Sequence, residues 1–316
     1  MSEPATPAPT DKTAIRARVL LVLRIVVTVG AFAWILSRVD LPAIGSAASR
    51  VPLLMFVLSC VLVAVNLGVS AARWSAMLSA YGATSIPPLL TLLRLNFVGF
   101  FYNTWLPGGL GGDAVRGVAS REAFGAEGAT GALAVVFVER VLGLVGMLVV
   151  VALTSAVAPL PAGDPTTITL ASIGGVVVGA GVVGGLASGA RLARFLPGPI
   201  AKIAARLPPI RHWGPFGIAV LLSLATQTLG AVTGHVIVVA LAPSIPLSAS
   251  MVAIPLAMAT AFLPFLVGGT GAREMAFVAL YASVGMPEAD ALTASLLCYA
   301  SQLVIGLIGA FLRVGK

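Results

Sequence analysis

Apolar residues run in blocks of about 20 positions, separated by short polar or proline-rich breaks. The blocks are continuously apolar, so each reads as a helix long enough to cross ~30 Å of hydrocarbon. The alternation over ~10 residues that marks a membrane β-barrel is not their pattern. Single spans are predicted at Val19–Leu36, Pro52–Leu78, Thr130–Val157, Ile168–Ser188, Phe216–Leu241 and Ala291–Phe311. Two further apolar segments behave differently. Leu89–Leu106 ends in "LPGGLGGDAVR", and Ala249–Val284 is interrupted by "LPFLVGGTGAR". Both stretches read Leu-Pro, three residues, Gly-Gly, three residues, Arg.

Composition settles the solvent. The chain is 59% hydrophobic and only 9% charged, against roughly 25% charged for a soluble domain. It cannot cover itself with charge, so lipid covers it. The expectation is an all-α polytopic membrane protein with a disordered tail over 1–14 and one transmembrane domain over 15–316. The net charge of +8 sits at loop edges. It reads as an orientation signal and not as a nucleic-acid surface. Cys60 and Cys298 lie inside apolar runs without metal-type spacing, and read as small packing residues.

Charge asymmetry orients the spans. The linker over about 190–213 carries Arg191, Arg194, Lys202, Arg206 and Arg211 without an acid, and both termini are basic. These belong in the cytoplasm. "APLPAGDPTT" and "GMPEADA" hold acids without a base and belong outside. Pro52–Leu78 then comes in and ends near Arg73, while Thr130–Val157 must start inside. The segment from Leu89 to about Gly125 therefore begins and ends on the cytoplasmic side. The same count makes Ala249–Val284 begin and end outside. Two re-entrant hairpins, entering from opposite faces, are expected to bend at the two motifs. Pro breaks each helix, and the pairs Gly111–Gly112 and Gly268–Gly269 allow close backbone approach. Irregular backbone at this depth is tolerated where protein or a watery cavity covers it. The motifs lie 157 residues apart, and that shift carries about 52–157 onto about 209–314 with every direction reversed. This is the pattern of an inverted-topology repeat.

"NTWLPGGLGGDAVRG", the later "VERVLGL" and "PFLVGGTGARE" resemble the membrane region of lysylphosphatidylglycerol synthases, a flippase-like domain also found as stand-alone bacterial and archaeal proteins. The resemblance covers nearly the whole chain after its tail. It implies a multi-pass protein of the bacterial cytoplasmic (inner) membrane, in which the charge asymmetry puts both termini in the cytoplasm. The sequence stops soon after its last span without the soluble aminoacyl-transfer domain, so the resemblance implies lipid transport and not lipid synthesis.

Charges at membrane depth cost at least ~2.5–3.5 kcal/mol each and mark a pathway or a pairing. Arg116 and Arg273 follow the paired glycines at equal distance, with Asp113 and Glu274 close by. One reading has the two arginines, helped by Gly N–H groups at helix starts, holding a lipid phosphate. The other has each arginine pairing with its neighbouring acid and pinning the hairpin. Asp113 also suits an N-terminal helix cap. Glu139 and Arg140 are adjacent on a helix and point some 100° apart. Each must find a separate partner, with Arg116 or Arg273 as candidates for Glu139. Asn96, Tyr102, Asn103 and Trp105 cluster on the first hairpin, where they line a polar cavity or satisfy broken backbone. His235, Gln227 and Gln302 read as interhelical hydrogen-bonding groups, with proton coupling at His235 as the sharper option. Arg116 and Arg273 are expected to face one shared, water-accessible cavity with Glu139 in reach.

The functional expectation is a carrier that moves an anionic phospholipid or glycolipid between leaflets. It acts alone, as an oligomer or beside a lipid-modifying enzyme, with no cofactor, metal or nucleic acid. A membrane-embedded transferase on a polyprenyl or phospholipid substrate is the rival. It is disfavoured because acids are dispersed and no Asp-x-x-Asp occurs, so the chain is not expected to be an enzyme. A small-solute secondary transporter on a similar repeat is the third reading.

Overall fold

The computed structural model describes residues 41–105, 111–158, 165–187, 209–260 and 271–312. The chain is helical, with no strand among those residues. The helices are α1 (Leu41–Arg50), α2 (Leu53–Ala80), α3 (Leu89–Trp105), α4 (Gly111–Ser120), α5 (Gly128–Val157), α6 (Pro165–Ala187), α7 (Trp213–Leu241), α8 (Leu247–Ala259), α9 (Ala272–Ala282) and α10 (Glu288–Phe311). A 3-10 turn over Arg121–Glu127 joins α4 to α5. Proline sets several starts: Pro52, Pro246 and Pro287 stand just before α2, α8 and α10, where no helical N–H is lost.

Four helices among the described residues are long and apolar enough to cross a membrane: Leu53–Ala80, Val135–Val157, Trp213–Leu241 and Glu288–Phe311. Their outward faces stay apolar. Leu53, Leu54, Val57, Leu58, Val61 and Val65 are exposed along α2, as a lipid-facing surface requires. The expected span at Val19–Leu36, the tail and most of the basic linker lie outside the described residues. So do both motif bends, with Gly268 and Gly269. Helix α1 was not expected, because ten residues without an apolar run leave no span-like signal. It packs on α10, with Ala47 buried and Arg50 paired to Asp290.

The packing places the two larger of three buried clusters at opposite ends of α7. Helices α2 and α7 lie antiparallel at the centre. The Arg211 and His212 N–H groups donate to the Ala80 carbonyl at one end (2.8 and 3.0 Å), and Asn66 Nδ2 donates to the Thr226 carbonyl midway (3.3 Å). Around the α2 C-terminus and α7 N-terminus, Trp74, Met77, Leu92, Phe124 and Phe216 form one core. At the other end of α7, Ile237, Val238, Ile254, Phe277 and Tyr281 form the second.

Helices α3 and α4 form one helical hairpin rooted in the first core. The Thr84 N–H donates to the Ala123 carbonyl (2.8 Å), closing its base. Helices α8 and α9 form the other, closed in the second core where Tyr281 donates to Ser250 Oγ (2.8 Å). The contacts are symmetrical under exchange of α2–α5 with α7–α10. Helix α3 packs on α10 as α8 packs on α5, α2 touches α10 as α7 touches α5, and each hairpin packs on the helix after it. Small residues permit one of these seams. A Cβ on Gly309 would come within 2.1 Å of the Phe97 carbonyl, so α3 and α10 approach with backbone nearly in contact.

Candidate functional site

The first hairpin supplies the tightest constraint in the region. A Cβ on Gly112 would stand 2.0 Å from the Gly99 carbonyl, which only glycine permits. The Gly112 N–H also donates to Asn103 Oδ1 at 2.8 Å. Asn103 thus satisfies an orphan donor at the start of α4, which fixes the two arms and orients the residues that follow. Gly111 packs against Tyr102 in the same turn.

One helical turn beyond, Arg116 meets the carboxylate of Glu139 on α5 through Nη2 and Oε2. Its guanidinium carbon also lies 4.4 Å from the centre of the Trp74 ring, a cation–π geometry. Glu139 is 3% exposed and holds a second arginine. Arg73 of α2 donates from Nε and Nη2 to Glu139 Oε1 at 3.1 and 2.9 Å. Arg73 Nη1 reaches Ser223 Oγ and Thr226 Oγ1 on α7 at 3.4 and 3.3 Å. A single carboxylate therefore ties α2, α4 and α5 together, and through Arg73 ties α7 as well. Arg140, pointing elsewhere from α5, pairs with Asp113 of α4 through Nε and Oδ2.

The second motif is built locally. Arg273 pairs with the adjacent Glu274, from Nε to Oε1 at 2.9 Å and also through Nη2. It lies 4.4 Å over the Tyr299 ring. The other oxygen of Glu274 accepts the Gly271 N–H at 2.6 Å, so this carboxylate also caps α9.

A cavity of about 410 Å³ lies between the two halves. Polar residues Asn66, Ser70, Arg73, Arg140, Thr226 and Gln227 line it beside Leu67, Phe100, Ile254 and Phe277. Its size suits a headgroup-scale ligand, since pockets for small ligands run about 300–1,000 Å³.

The geometry corrects several expectations. Arg116 and Arg273 were expected in one shared, water-accessible cavity, yet neither belongs to its described wall, and Arg273 is 4% exposed. Each is enclosed between a carboxylate and an aromatic ring. Glu139 does reach Arg116, as expected, but Asp113 pairs with Arg140 and not with Arg116. Nor is Asp113 the residue that caps the helix start, because α4 already begins at Gly111 and Asp113 sits in its first turn. Asn96 donates to the Leu67 carbonyl at 3.2 Å and Trp105 Nε1 to the Leu303 carbonyl at 3.2 Å. Both join helices and neither lines the cavity. His235 shares a hydrogen bond with Ser250 Oγ at 2.9 Å.

Sequence reasoning missed Arg73, which looked like the cytoplasmic edge of a span. It stands inside α2, followed by seven further helical residues. Its signal was legible as a stripe, because Asn66, Ser70 and Arg73 recur at helical spacing on one face.

The sequence profile of the lysylphosphatidylglycerol synthase TM region matches residues 21–309. The chain belongs to this family. The match takes in both hairpins, three candidate spans and nearly all of the fourth, and the ion-pair network, so the site is part of the family's membrane region and not an appended module. Together with the spans it makes the chain an integral membrane protein. No curated protein matches the chain.

Proposed function

We propose that the protein carries an anionic phospholipid or glycolipid between the leaflets of the bacterial inner membrane, as a carrier and not as an enzyme. The observation that carries this reading is the cavity between the halves with Arg73 and Arg140 in its wall. A guanidinium stays charged at membrane depth and matches a phosphate with paired donors. Between two symmetrical halves such a group meets a ligand from either side, the placement expected at a repeat interface.

In this reading the halves form an inverted-topology repeat whose hairpins re-enter the membrane from opposite faces. Three features support it. The helices that open the two halves, α2 and α7, run antiparallel. The hairpins root in cores at opposite ends of α7. The described end of α3 rests against Tyr299 and Leu303, in the middle part of α10, as a segment that turns back inside the bundle requires. Both termini then face the cytoplasm. The cargo is drawn from the membrane itself, by the protein alone, as an oligomer or beside a lipid-modifying enzyme.

The test is leaflet exchange in proteoliposomes with an acyl-labelled fluorescent phosphatidylglycerol and a membrane-impermeant quencher. Protein-bearing vesicles should lose nearly all fluorescence where protein-free vesicles lose about half, the share exposed in one leaflet of a sealed bilayer. Arg73→Gln should slow the second phase. The lipid should be recovered chemically unchanged. Fluorescence that stays at the protein-free level would remove the carrier reading, and a modified lipid would favour the transferase.

A further inference from the structure

A cavity of about 410 Å³ has room for a headgroup and not for acyl chains, which extend about 15 Å each in one leaflet of a ~30 Å hydrocarbon core. On the carrier reading, on which this inference rests, the chains stay in the bilayer and pass between two helices at the cavity wall. Two matched seams border the cavity, α3 on α10 and α8 on α5. Phe100 and Gln302 line it from the first pair, Met147 and Met258 from the second.

The α3–α10 seam is latched. The Tyr299 hydroxyl of α10 donates to the Thr104 carbonyl at 3.0 Å, and Trp105 Nε1 donates to the Leu303 carbonyl at 3.2 Å. Further along, Gly309 lets the two backbones come nearly into contact. Parting these helices breaks both bonds where lipid offers no replacement partner.

The α5–α8 seam lacks the residues for such a latch. The 157-residue shift carries Thr104 and Trp105 to Ala261 and Phe262, Tyr299 to Leu142 and Gly309 to Ala152. None of these four side chains donates a hydrogen bond. Ala152 also carries a Cβ where Gly309 has none, so the close backbone approach is not repeated.

Proline adds a hinge to the same seam. The shift sets Pro255 of α8 where α3 has Val98. Pro255 lies inside α8 and is buried, and it lines the cavity. Its ring removes the N–H that would meet the Met251 carbonyl, which weakens the helix at the cavity wall. Met147 and Met258 stand in the same wall, and such unbranched side chains repack readily around irregular apolar shapes.

We infer that the seam between α5 and α8 is the acyl-chain portal of the cavity. The headgroup enters the cavity while the chains lie between these two helices, continuous with the bilayer. Helix α8 bends at Pro255 to admit them, and α3 stays fastened to α10.

The test is photolabelling of the purified full chain in bilayers doped with phosphatidylglycerol that carries a diazirine at the end of one acyl chain. Adducts are mapped by peptide mass spectrometry. Leu53 and Leu54, exposed on α2, are labelled from the surrounding bilayer and serve as the reference. Val151 of α5 is buried in the second core with Ile254 and Ala257 of α8. Ile305 of α10 is buried beside Phe97 and Phe100 of α3. A chain reaches either site only by entering its seam. Adducts should form on Val151 and Pro255 at several times the yield on Ile305. Adducts on Ile305 in their place overturn the inference, as does labelling confined to exposed residues. Pro255→Ala restores the missing donor and should lower Val151 labelling and leaflet exchange by about three- to tenfold, the reach of one backbone hydrogen bond. Unchanged labelling in a folded Pro255→Ala overturns the hinge, and if that variant does not fold the wild-type map decides by itself. Val151 labelling without leaflet exchange would remove the carrier reading and leave the portal. Leaflet exchange with labelling at Ile305 alone would remove the portal and leave the carrier.

Discussion

The two motif arginines occupy equivalent positions 157 residues apart, yet they are held in opposite styles. Arg116 belongs to a web that joins four helices through Glu139 and Arg73. Arg273 closes on the neighbouring Glu274 within α9 and stacks on Tyr299 of α10. The same shift explains the difference. It carries Arg73 to Gly230, Asp113 to Thr270, Glu139 to Leu296 and Arg140 to Leu297. The scaffold is doubled, but the charged site is single. Gly230, Leu296 and Leu297 at the shifted positions let α7 and α10 carry small and apolar residues there, while the first half has charges whose partners lie on other helices. The helix contacts are matched between the halves, and the charged residues are not.

The largest effect should come from Glu139→Gln, which strips two buried arginines of their carboxylate at once. Breaking a buried pair by removing one partner costs about 3–5 kcal/mol, and here the upper end is expected as a fall in the detergent thermal midpoint. Glu274→Gln should cost less, near the lower end at about 3 kcal/mol, because only Arg273 and one helix cap are affected. The reverse order would break the distinction between web and local pair.

Next come Arg116→Lys and Arg273→Lys. Each keeps its charge but loses the planar fork and the ring contact, a contact worth about 0.5–2 kcal/mol. Arg116→Lys should be the milder in unfolding assays, since Arg73 still holds Glu139. Stability equal to wild type in both variants would show that the stacking contributes nothing.

The smallest effect belongs to Asp113 and Arg140. Arg140 keeps 36% of its side chain exposed, so solvent screens the pair. A double-mutant cycle with Asp113→Asn and Arg140→Gln should give a coupling of about 0.2–1 kcal/mol. Exchange of labelled lipid by Arg140→Gln should nonetheless fall, since that side chain lines the cavity. A large coupling with unchanged exchange would move Arg140 from ligand handling to scaffolding.

Much of the helical framework was legible because lipid demands long apolar runs, and Pro and Gly mark their ends. The segments expected at Pro52–Leu78 and Phe216–Leu241 match α2 and α7 to within a few residues. Helix α1 was not legible, since its ten residues are held by Arg50 and Asp290 across 240 positions, which no local pattern reports. The site was half legible. Isolated charges in apolar runs pointed to Arg116, Glu139 and Arg140, but partner choice depends on which helix faces share the interior. That is why the alternative that paired Asp113 with Arg116 did not foresee Arg140 as its partner. Arg73 was hidden by its own position, where a charge near the end of a long span reads as an anchor.

Glu139 also bears on time. On the carrier reading proposed above, a phosphate arriving at Arg73 would compete with a carboxylate that already occupies the same guanidinium. Each hydrogen bond it gains is offset by one surrendered, and Glu139, still held by Arg116, stays close enough to reclaim its partner. On that reading the expected residence is short. A receptor built for tight capture would leave the arginine open, whereas a residue that keeps a returning competitor beside its ligand favours turnover over retention.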